Sequence, residues 1–363
     1  MKLLETKIPT LTDRNFFEFG FSDVVDGETH EVPFSFRTKD SDGWFVRYGR
    51  CHRLPLSFRR ECLNTARLIR DSTDLPIDIC FSGGVDSEVA LRSFLEAGIP
   101  VRVISLRFAN GLNRHDVEWV ERSCERLGVE PTFVDLDLLK FWGGDAQSYA
   151  DRTQCVSPQL LSTMWLADQT DGFCVFGSGE NFIVKRVPKE YVSGVTPYLR
   201  STWDLFEKEK IAAWYRHFIV QGRDAAPGFF QYTPELMLSW FLDEMGCDLW
   251  NDRLEGKRNS VSSKLAIYQR HFEIEDRPKF TGFENVQGED AIERRKLRLQ
   301  YNACDHIVKT PVPTLVRSML PMGSEALEKV YISEFANPEW REEVSLEKAL
   351  PAPEMIDGRI YYT

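Results

Sequence analysis

No stretch of the 363-residue sequence approaches the ~18 consecutive apolar residues that a bilayer-spanning helix needs, so a membrane association is not expected. The first residues, Met1 to Lys7, hold no apolar run of signal-peptide length, and a cytoplasmic location is the expectation. None of the eight cysteines stands in a CxxC pair, and no HExxH occurs among the six histidines. A Cys/His zinc site is therefore not expected, and the cysteines read as reduced thiols. Basic residues are in the minority, 45 Lys and Arg against 56 Asp and Glu, for a net charge of −11. Such a field repels phosphate at long range, which disfavours a sliding or architectural nucleic-acid binder and makes RNA a less expected partner. The Walker A pattern Gly-x4-Gly-Lys-Ser/Thr is absent, and Gly177-Ser178-Gly179 is followed by Phe182 where a dinucleotide fingerprint needs its third glycine. Internal repeats and low-complexity tracts are also lacking.

What is present is core material. Hydrophobic residues make up 42% of the chain, with 25 Phe and 9 Trp, enough for a folded protein with no metal or disulfide staple. At about 150 residues per domain, the length suggests roughly two domains. Residues 1–55 alternate Phe- and Val-containing pieces with Pro and Gly, which predicts a small β-rich cap. From 56 to 195 the pattern is that of an α/β domain. Ser57 is expected to cap a helix carrying Phe58, Cys62, Ala66 and Ile69 on one face. A strand over 77–81, a helix over 86–97 and a strand over 101–108 follow. Next come a helix capped by Asp116 and ending at Gly128, a strand over 132–136, a helix over 158–168 and a strand over 173–176. Continuous apolar strands alternating with helices indicate a doubly wound parallel sheet covered on both faces. Residues 196–363 read as mostly helical, with helices over 203–218, 234–245 and 294–302, a loop over 278–288 and a turn-rich end.

The chemistry is concentrated in Ser82-Gly83-Gly84-Val85-Asp86-Ser87. A strand delivers the chain to a turn whose two glycines lack Cβ atoms, so backbone N–H groups can approach a phosphate. The following helix points its positive end at the same place. That dipole contributes only ~0.3–1 kcal/mol when exposed, so a polyphosphate also requires cations. Ser82 and Ser87 add hydroxyl donors, and Asp86 is a hard oxygen ligand suited to Mg²⁺. The second Gly-rich turn, Gly177 to Glu180, follows the fourth strand, and ligands of such sheets bind beyond the C-terminal strand edges. The two turns should therefore be neighbours. Lys185, Arg186, Lys189 and Lys279 are candidate cations for charge that builds on a leaving pyrophosphate.

The SGGVDS run at 82–87 resembles the pyrophosphate loop of the N-type (PP-loop) ATP pyrophosphatases, and the order of elements around it is most similar to the synthetase domain of asparagine synthetase. The resemblance covers roughly residues 56–185. It implies an adenine nucleotide alpha-hydrolase-like fold, ATP and Mg²⁺ as cofactors, and cleavage of ATP between the α and β phosphates. The reaction implied is an AMP-forming ligation: an acceptor oxygen is adenylated and a nitrogen nucleophile then displaces AMP to form an amide or related C–N bond. Carried over by residue, Ser82, Gly83, Gly84, Val85, Asp86 and Ser87 hold pyrophosphate, and Ser105 and Leu106 meet adenine through backbone groups. Gly177 and Gly179 also belong to the ATP- and pyrophosphate-binding set, and Gly179 and Glu180 line the acceptor side. Asp86 and Glu180 are the metal candidates, and Glu180, Lys185 and Lys279 the catalytic ones. Lys2 stands where a glutaminase nucleophile would be Cys, and the N-terminal segment is too short for a glutaminase domain, so this chain is not expected to make ammonia from glutamine, and a separate ammonia source is a candidate partner. The paired-Cys zinc motif of 7-cyano-7-deazaguanine synthase is also missing. The partners implied are a small-molecule acceptor and a nitrogen donor. Other readings are a PP-loop enzyme modifying a nucleobase or tRNA, and a non-catalytic adenine-nucleotide-binding regulator.

Overall fold

A computed structural model describes residues 17–25, 28–32, 43–48, 51–153, 155, 157–179, 183–186, 202–205, 208–241, 260–277, 282, 354–356 and 359–361; side-chain packing is described for 51–153, 155, 157, 159–179, 213–240, 264–277 and 282. In chain order, the strands β1 (Phe17–Val25), β2 (Glu28–Val32) and β3 (Gly43–Tyr48) form an antiparallel sheet in the order β2-β1-β3. The expected N-terminal strands are thus present. Then follow α1 (Phe58–Asp71), β4 (Ile77–Cys80), α2 (Val85–Glu96), β5 (Arg102–Phe108), α3 (Arg114–Leu127) and β6 (Pro131–Leu136). After these come α4 (Leu138–Gly143), α5 (Ala146–Thr153), α6 (Pro158–Ala167) and β7 (Phe173–Phe176). Beyond the sheet core lie β8 (Ile183–Arg186), β9 (Thr202–Leu205), α7 (Lys208–Gln221), β10 (Ala225–Ala226), α8 (Pro234–Phe241), α9 (Ser260–His271), β11 (Glu354–Ile356) and β12 (Arg359–Tyr361).

The central sheet is parallel, five-stranded, in the order β10-β7-β4-β5-β6. The chain starts at the middle with β4, builds β5 and β6 to one side, then returns to lay β7 and β10 on the other. This is the α/β, doubly wound, adenine nucleotide alpha-hydrolase-like architecture expected from the sequence, with one strand more. Its topological switch point lies at β4 and β7, where ligands of such sheets bind. Side-chain alternation splits the core by face. Ile77, Ile79, Val103 and Val175 pack on one side with Phe58, Cys62 and Ile69 of α1, Val89 and Phe94 of α2, and Val120 and Cys124 of α3. Cys80, Ile104, Cys174 and Phe176 pack on the other with Phe141 of α4, Leu161 and Met164 of α6, and Trp214 and Phe218 of α7.

The helix ends show where local rules were modified. Ser57 occupies the cap position of α1 without a side-chain cap bond; Glu61 instead reaches back to accept from the Leu56 N–H at 2.6 Å. Asn113, not Asp116, precedes the first residue of α3, and its amide is used elsewhere, accepting from Phe108 N at 2.8 Å and donating to the Leu106 carbonyl at 2.9 Å. Gly128 closes α3 in the left-handed region at φ 66°, as its spacing predicts. Residues 202–205 are a strand paired antiparallel to β8, where the apolar spacing suggested the start of a helix; Thr-Trp-Asp-Leu suits a strand as well as a helical turn. The short helices α4 and α5 carry too few repeats of their period to stand out in the sequence. The expected helix over 294–302 and, apart from Gly282, the expected loop over 278–288 lie outside the described residues.

At the N-terminal edge of the sheet, Asp78 is fully buried and receives Arg102 in a two-pronged pair at 2.6 and 2.8 Å, together with the Gly172 N–H at 3.1 Å and the Thr170 hydroxyl. A Cβ on Gly172 would lie 2.3 Å from Asp78 Oδ2, so only glycine fits there. A cleft of about 640 Å³ at this edge is lined by Arg102, Thr132, Asp168 and Thr170. Its charges are spoken for: Asp168 accepts from Tyr149, Gln221 and Arg152 and pairs with His217 at 3.0 Å. These contacts join layers at the edge opposite the glycine-rich turns. Among the described residues no helix is long and apolar enough to cross a membrane. Six cysteines, Cys51, Cys62, Cys80, Cys124, Cys155 and Cys174, are buried free thiols; Cys247 and Cys304 lie outside the described residues.

Candidate active site

β4 ends at Cys80, and the Phe81 N–H still bonds the Ile104 carbonyl at 2.8 Å, so the chain leaves the sheet only at Ser82. The turn is then closed by its own serines. Ser82 Oγ and Ser87 Oγ lie 3.0 Å apart, Ser87 Oγ donates to the Gly84 carbonyl at 2.9 Å, and Gly84 N donates to Ser82 Oγ at 3.3 Å. α2 begins at Val85 with Gly84 in the cap position and no side-chain cap. The first-turn N–H groups of a helix have no partners within it, so this end is suited to an anion.

The two loop glycines do different jobs. Gly83 has φ 78°, and a Cβ there would sit 2.6 Å from the Asp116 carbonyl on α3. Packing against α3 and a left-handed backbone each require glycine there. Gly84 is the open one: a Cβ would meet only Ser82 Oγ, at 3.3 Å, and would stand in the mouth of the turn.

The second turn lies against the first, as expected for the ends of adjacent strands. A Cβ on Gly177 would fall 2.4 Å from Ser87 Cα and 2.7 Å from Asp86 O. Gly179 is left-handed at φ 79°. Ser178 ties this turn to the segment after β10, its hydroxyl donating to the Pro227 carbonyl at 2.5 Å while its own carbonyl accepts from Phe230 N at 3.3 Å. Ser105, buried, and Leu106 lie on β5 just past the level at which β4 ends, since Cys80 pairs with Ile104. They are mid-strand, because β5 runs on to Phe108, and the Leu106 carbonyl already accepts from Asn113. Glu180, Lys279 and the side chain of Lys185 lie outside the described residues; the Lys185 backbone belongs to β8.

The structure brings in residues that the sequence reading did not select. Lys264 and Tyr268, one turn apart on α9, both reach Asp86: Lys264 Nζ to Oδ2 at 2.5 Å and the Tyr268 hydroxyl to Oδ1 at 2.7 Å. Both are buried. Tyr268 is held among rings, 5.7 Å from Phe230, 5.6 Å from Trp240 and 6.1 Å from Phe58. Among the described residues, the cations of the C-terminal region that reach the loop are Lys264 and Arg277; the expected Lys279 lies outside them. The available signal was a lysine at helical i, i+4 spacing from a tyrosine on the apolar side of 260–271.

Behind the loop, Glu88 is fully buried and accepts from Arg92 at 2.9 Å, Arg126 at 2.6 Å, Ser123 at 3.2 Å and Arg277. Burial pushes its carboxyl pKa up, but Arg277 and Arg92 outweigh that and hold it below the ordinary value.

A family model covers this part of the chain. Residues 78–162 match the model described as queuosine biosynthesis protein QueC. The match runs from β4 into α6 and includes the whole glycine-rich loop, about a quarter of the chain. It supports the PP-loop ATP pyrophosphatase superfamily and an ATP-utilising enzyme, and gives no particular support to asparagine synthetase. Among solved structures, that of NMN synthetase from Francisella tularensis is similar over 68% of this chain and 97% of that one, at 17% identity and a TM-score of 0.28. No curated protein matches the chain.

The residues suit ATP and a metal that arrives with it. Asp86, oriented by Lys264 and Tyr268, offers hard carboxylate oxygens of the kind that take Mg²⁺, an ion held otherwise by substrate phosphates and water. Among the described residues no group of three or more metal-ligating side chains occurs, and the carboxylate they place at the loop is Asp86.

Proposed function

We propose that this protein is an ATP-dependent, AMP-forming ligase of the PP-loop type. The observation that carries the reading is the turn at Ser82–Ser87 at the switch point of the sheet, with Asp86 met by Lys264 and Tyr268. Ser82, Gly84 and Ser87 hold the pyrophosphate portion of ATP. Gly83 and Gly177 make the close packing that shapes the pocket, and Val85 starts the helix. Ser105 and Leu106 face the adenine, and Gly179 and Glu180 the acceptor. Asp86 holds Mg²⁺ together with Glu180. An acceptor oxygen attacks the α-phosphorus, the bond to the bridging β-oxygen breaks, and pyrophosphate leaves with its developing charge matched by Lys264, with Lys185 and Lys279 as further cations. A nitrogen nucleophile from a separate donor then displaces AMP. Lys264 stands beside Asp86 before any charge develops, and this prior placement supports its role. The acceptor and nitrogen donor are small molecules and the setting is cytoplasmic.

A second reading is modification of a nucleobase, free or in tRNA. The match to a queuosine biosynthesis family favours it, and it uses the same ATP chemistry on a base carbonyl.

The test is a product assay with Mg-ATP and a small-molecule extract, separating AMP from ADP. Gly84→Trp, which fills the mouth of the turn, controls for contaminating ATPases. AMP and pyrophosphate from the wild type alone support the reaction class, and fractionating the extract separates a small carboxylate acceptor from a nucleobase. ADP, or binding of ATP with neither product, defeats the ligase and leaves a nucleotide-binding regulator.

A further inference from the structure

The chain after α9 runs back along α3 and ends on the glycine-rich loop. Glu275 is met by Arg122 at 2.5 Å and Arg126 at 3.1 Å. Two residues on, Arg277 is buried, its guanidinium 4.6 Å from the centre of the Trp119 ring, and it donates to the Gly83 carbonyl at 2.7 Å and to Glu88. Gly282 then packs so closely on the turn before α3 that a Cβ would lie 2.6 Å from the Leu112 carbonyl. The loop is thus held between α3, through Gly83, and this returning segment.

The contact at Gly83 has a direct consequence for the loop. A trans peptide unit is planar, so its C=O and N–H point in opposite directions. The Gly83 carbonyl and the Gly84 N–H belong to one such unit. With the carbonyl held by Arg277, the N–H of the same unit points the opposite way, to Ser82 Oγ. Gly83, at φ 78°, has no side chain to resist a flip of this unit, so something else must fix it. Arg277 is itself fixed on three sides, by Glu88, by Ser123 at 3.4 Å and by the Trp119 face.

We propose that Arg277 is a positioning residue for the pyrophosphate loop: by holding the Gly83 carbonyl it fixes the Gly83–Gly84 peptide unit with its N–H on the Ser82 hydroxyl side, the conformation that receives the anion, and so makes phosphate binding depend on the segment that follows α9. This rests on the reading that the loop binds the pyrophosphate part of ATP. It adds a residue, and a coupling between the C-terminal region and the loop, that the loop sequence does not contain.

The experiment is titration calorimetry of the full-length protein with Mg-ATP, pyrophosphate and AMP. For Arg277→Ala we expect affinity for Mg-ATP and pyrophosphate to fall about tenfold or more, the size of one hydrogen bond from a charged donor, with AMP within about twofold of wild type. Arg277→Lys, which can still donate to the carbonyl, should recover part of the loss. A merely structural role would weaken all three ligands together. Equal losses for all three, or a folded Arg277→Ala that binds pyrophosphate as wild type does, overturns the proposal and leaves the ligase reading intact. A wild type that binds neither Mg-ATP nor pyrophosphate overturns both. If Arg277→Ala is recovered only as aggregate, Trp119→Leu, which removes the surface under the guanidinium, decides by the same three affinities.

Discussion

Replacing Glu88 tests how the loop's foundation is held. Its carboxylate has no exposure to water and is reached by three guanidiniums, two of them, on Arg92 and Arg277, with side chains themselves buried. Truncation to alanine strands those charges, and stripping one partner from a buried pair typically costs about 3–5 kcal/mol. At about 2–4 °C per kcal/mol for a domain of this size, Tm should fall by about 6–20 °C. Glu88→Gln keeps the shape and the acceptor oxygen and should cost less. The pH dependence follows from the direction of the shift. The folded-state pKa lies below the ordinary 4.5, so the charge of Glu88 contributes fully above the unfolded value and loses its contribution as pH falls through the folded one. In urea unfolding followed by tryptophan fluorescence, the stability gap between wild type and Glu88→Gln should therefore be constant from about pH 8 to 5 and narrow below about pH 4.5. A gap that widens on acidification, or a Glu88→Ala that loses less than about 1 kcal/mol, would refute the account of a charge-compensated buried carboxylate.

Other outcomes are equally specific. Gly177→Ala drives a Cβ into the backbone of Ser87 and should cost about 1–3 kcal/mol in urea unfolding while weakening Mg-ATP binding, because neither turn can yield without moving the other. Lys264→Met keeps the packing but removes the charge beside Asp86, and AMP formation should fall about 100-fold or more; unchanged turnover would remove Lys264 from the mechanism. Asp78→Asn breaks the paired hydrogen bonds with Arg102 at the far edge of the sheet and should cost about 1.5–3 kcal/mol with Mg-ATP affinity unaltered; a matching loss of affinity would show that the two edges are coupled.

The sequence by itself determined the sheet and the loop. Strands such as Phe173–Phe176 are apolar throughout and must be buried on both faces, which forces helices onto both sides and a parallel order. Two glycine-rich turns at the ends of such strands belong at one edge, and the packing of Gly177 on Ser87 puts them there. Those features are legible because each is carried by neighbours in the chain. What only the tertiary structure decided is the charge around the loop. Lys264 and Tyr268 reach Asp86 from 178 and 182 residues away, and Arg277 reaches Gly83 from 194. A lysine on an otherwise ordinary helix reads as a solvated charge until the fold closes over it. The same holds for the glycines, since Gly83 and Gly84 look alike in the sequence and differ only in what stands opposite them: α3 behind one, the open mouth of the site before the other. Periodicity and turn chemistry are local and survive in one dimension. Which buried charge meets which is set by long-range packing, and no spacing rule encodes it.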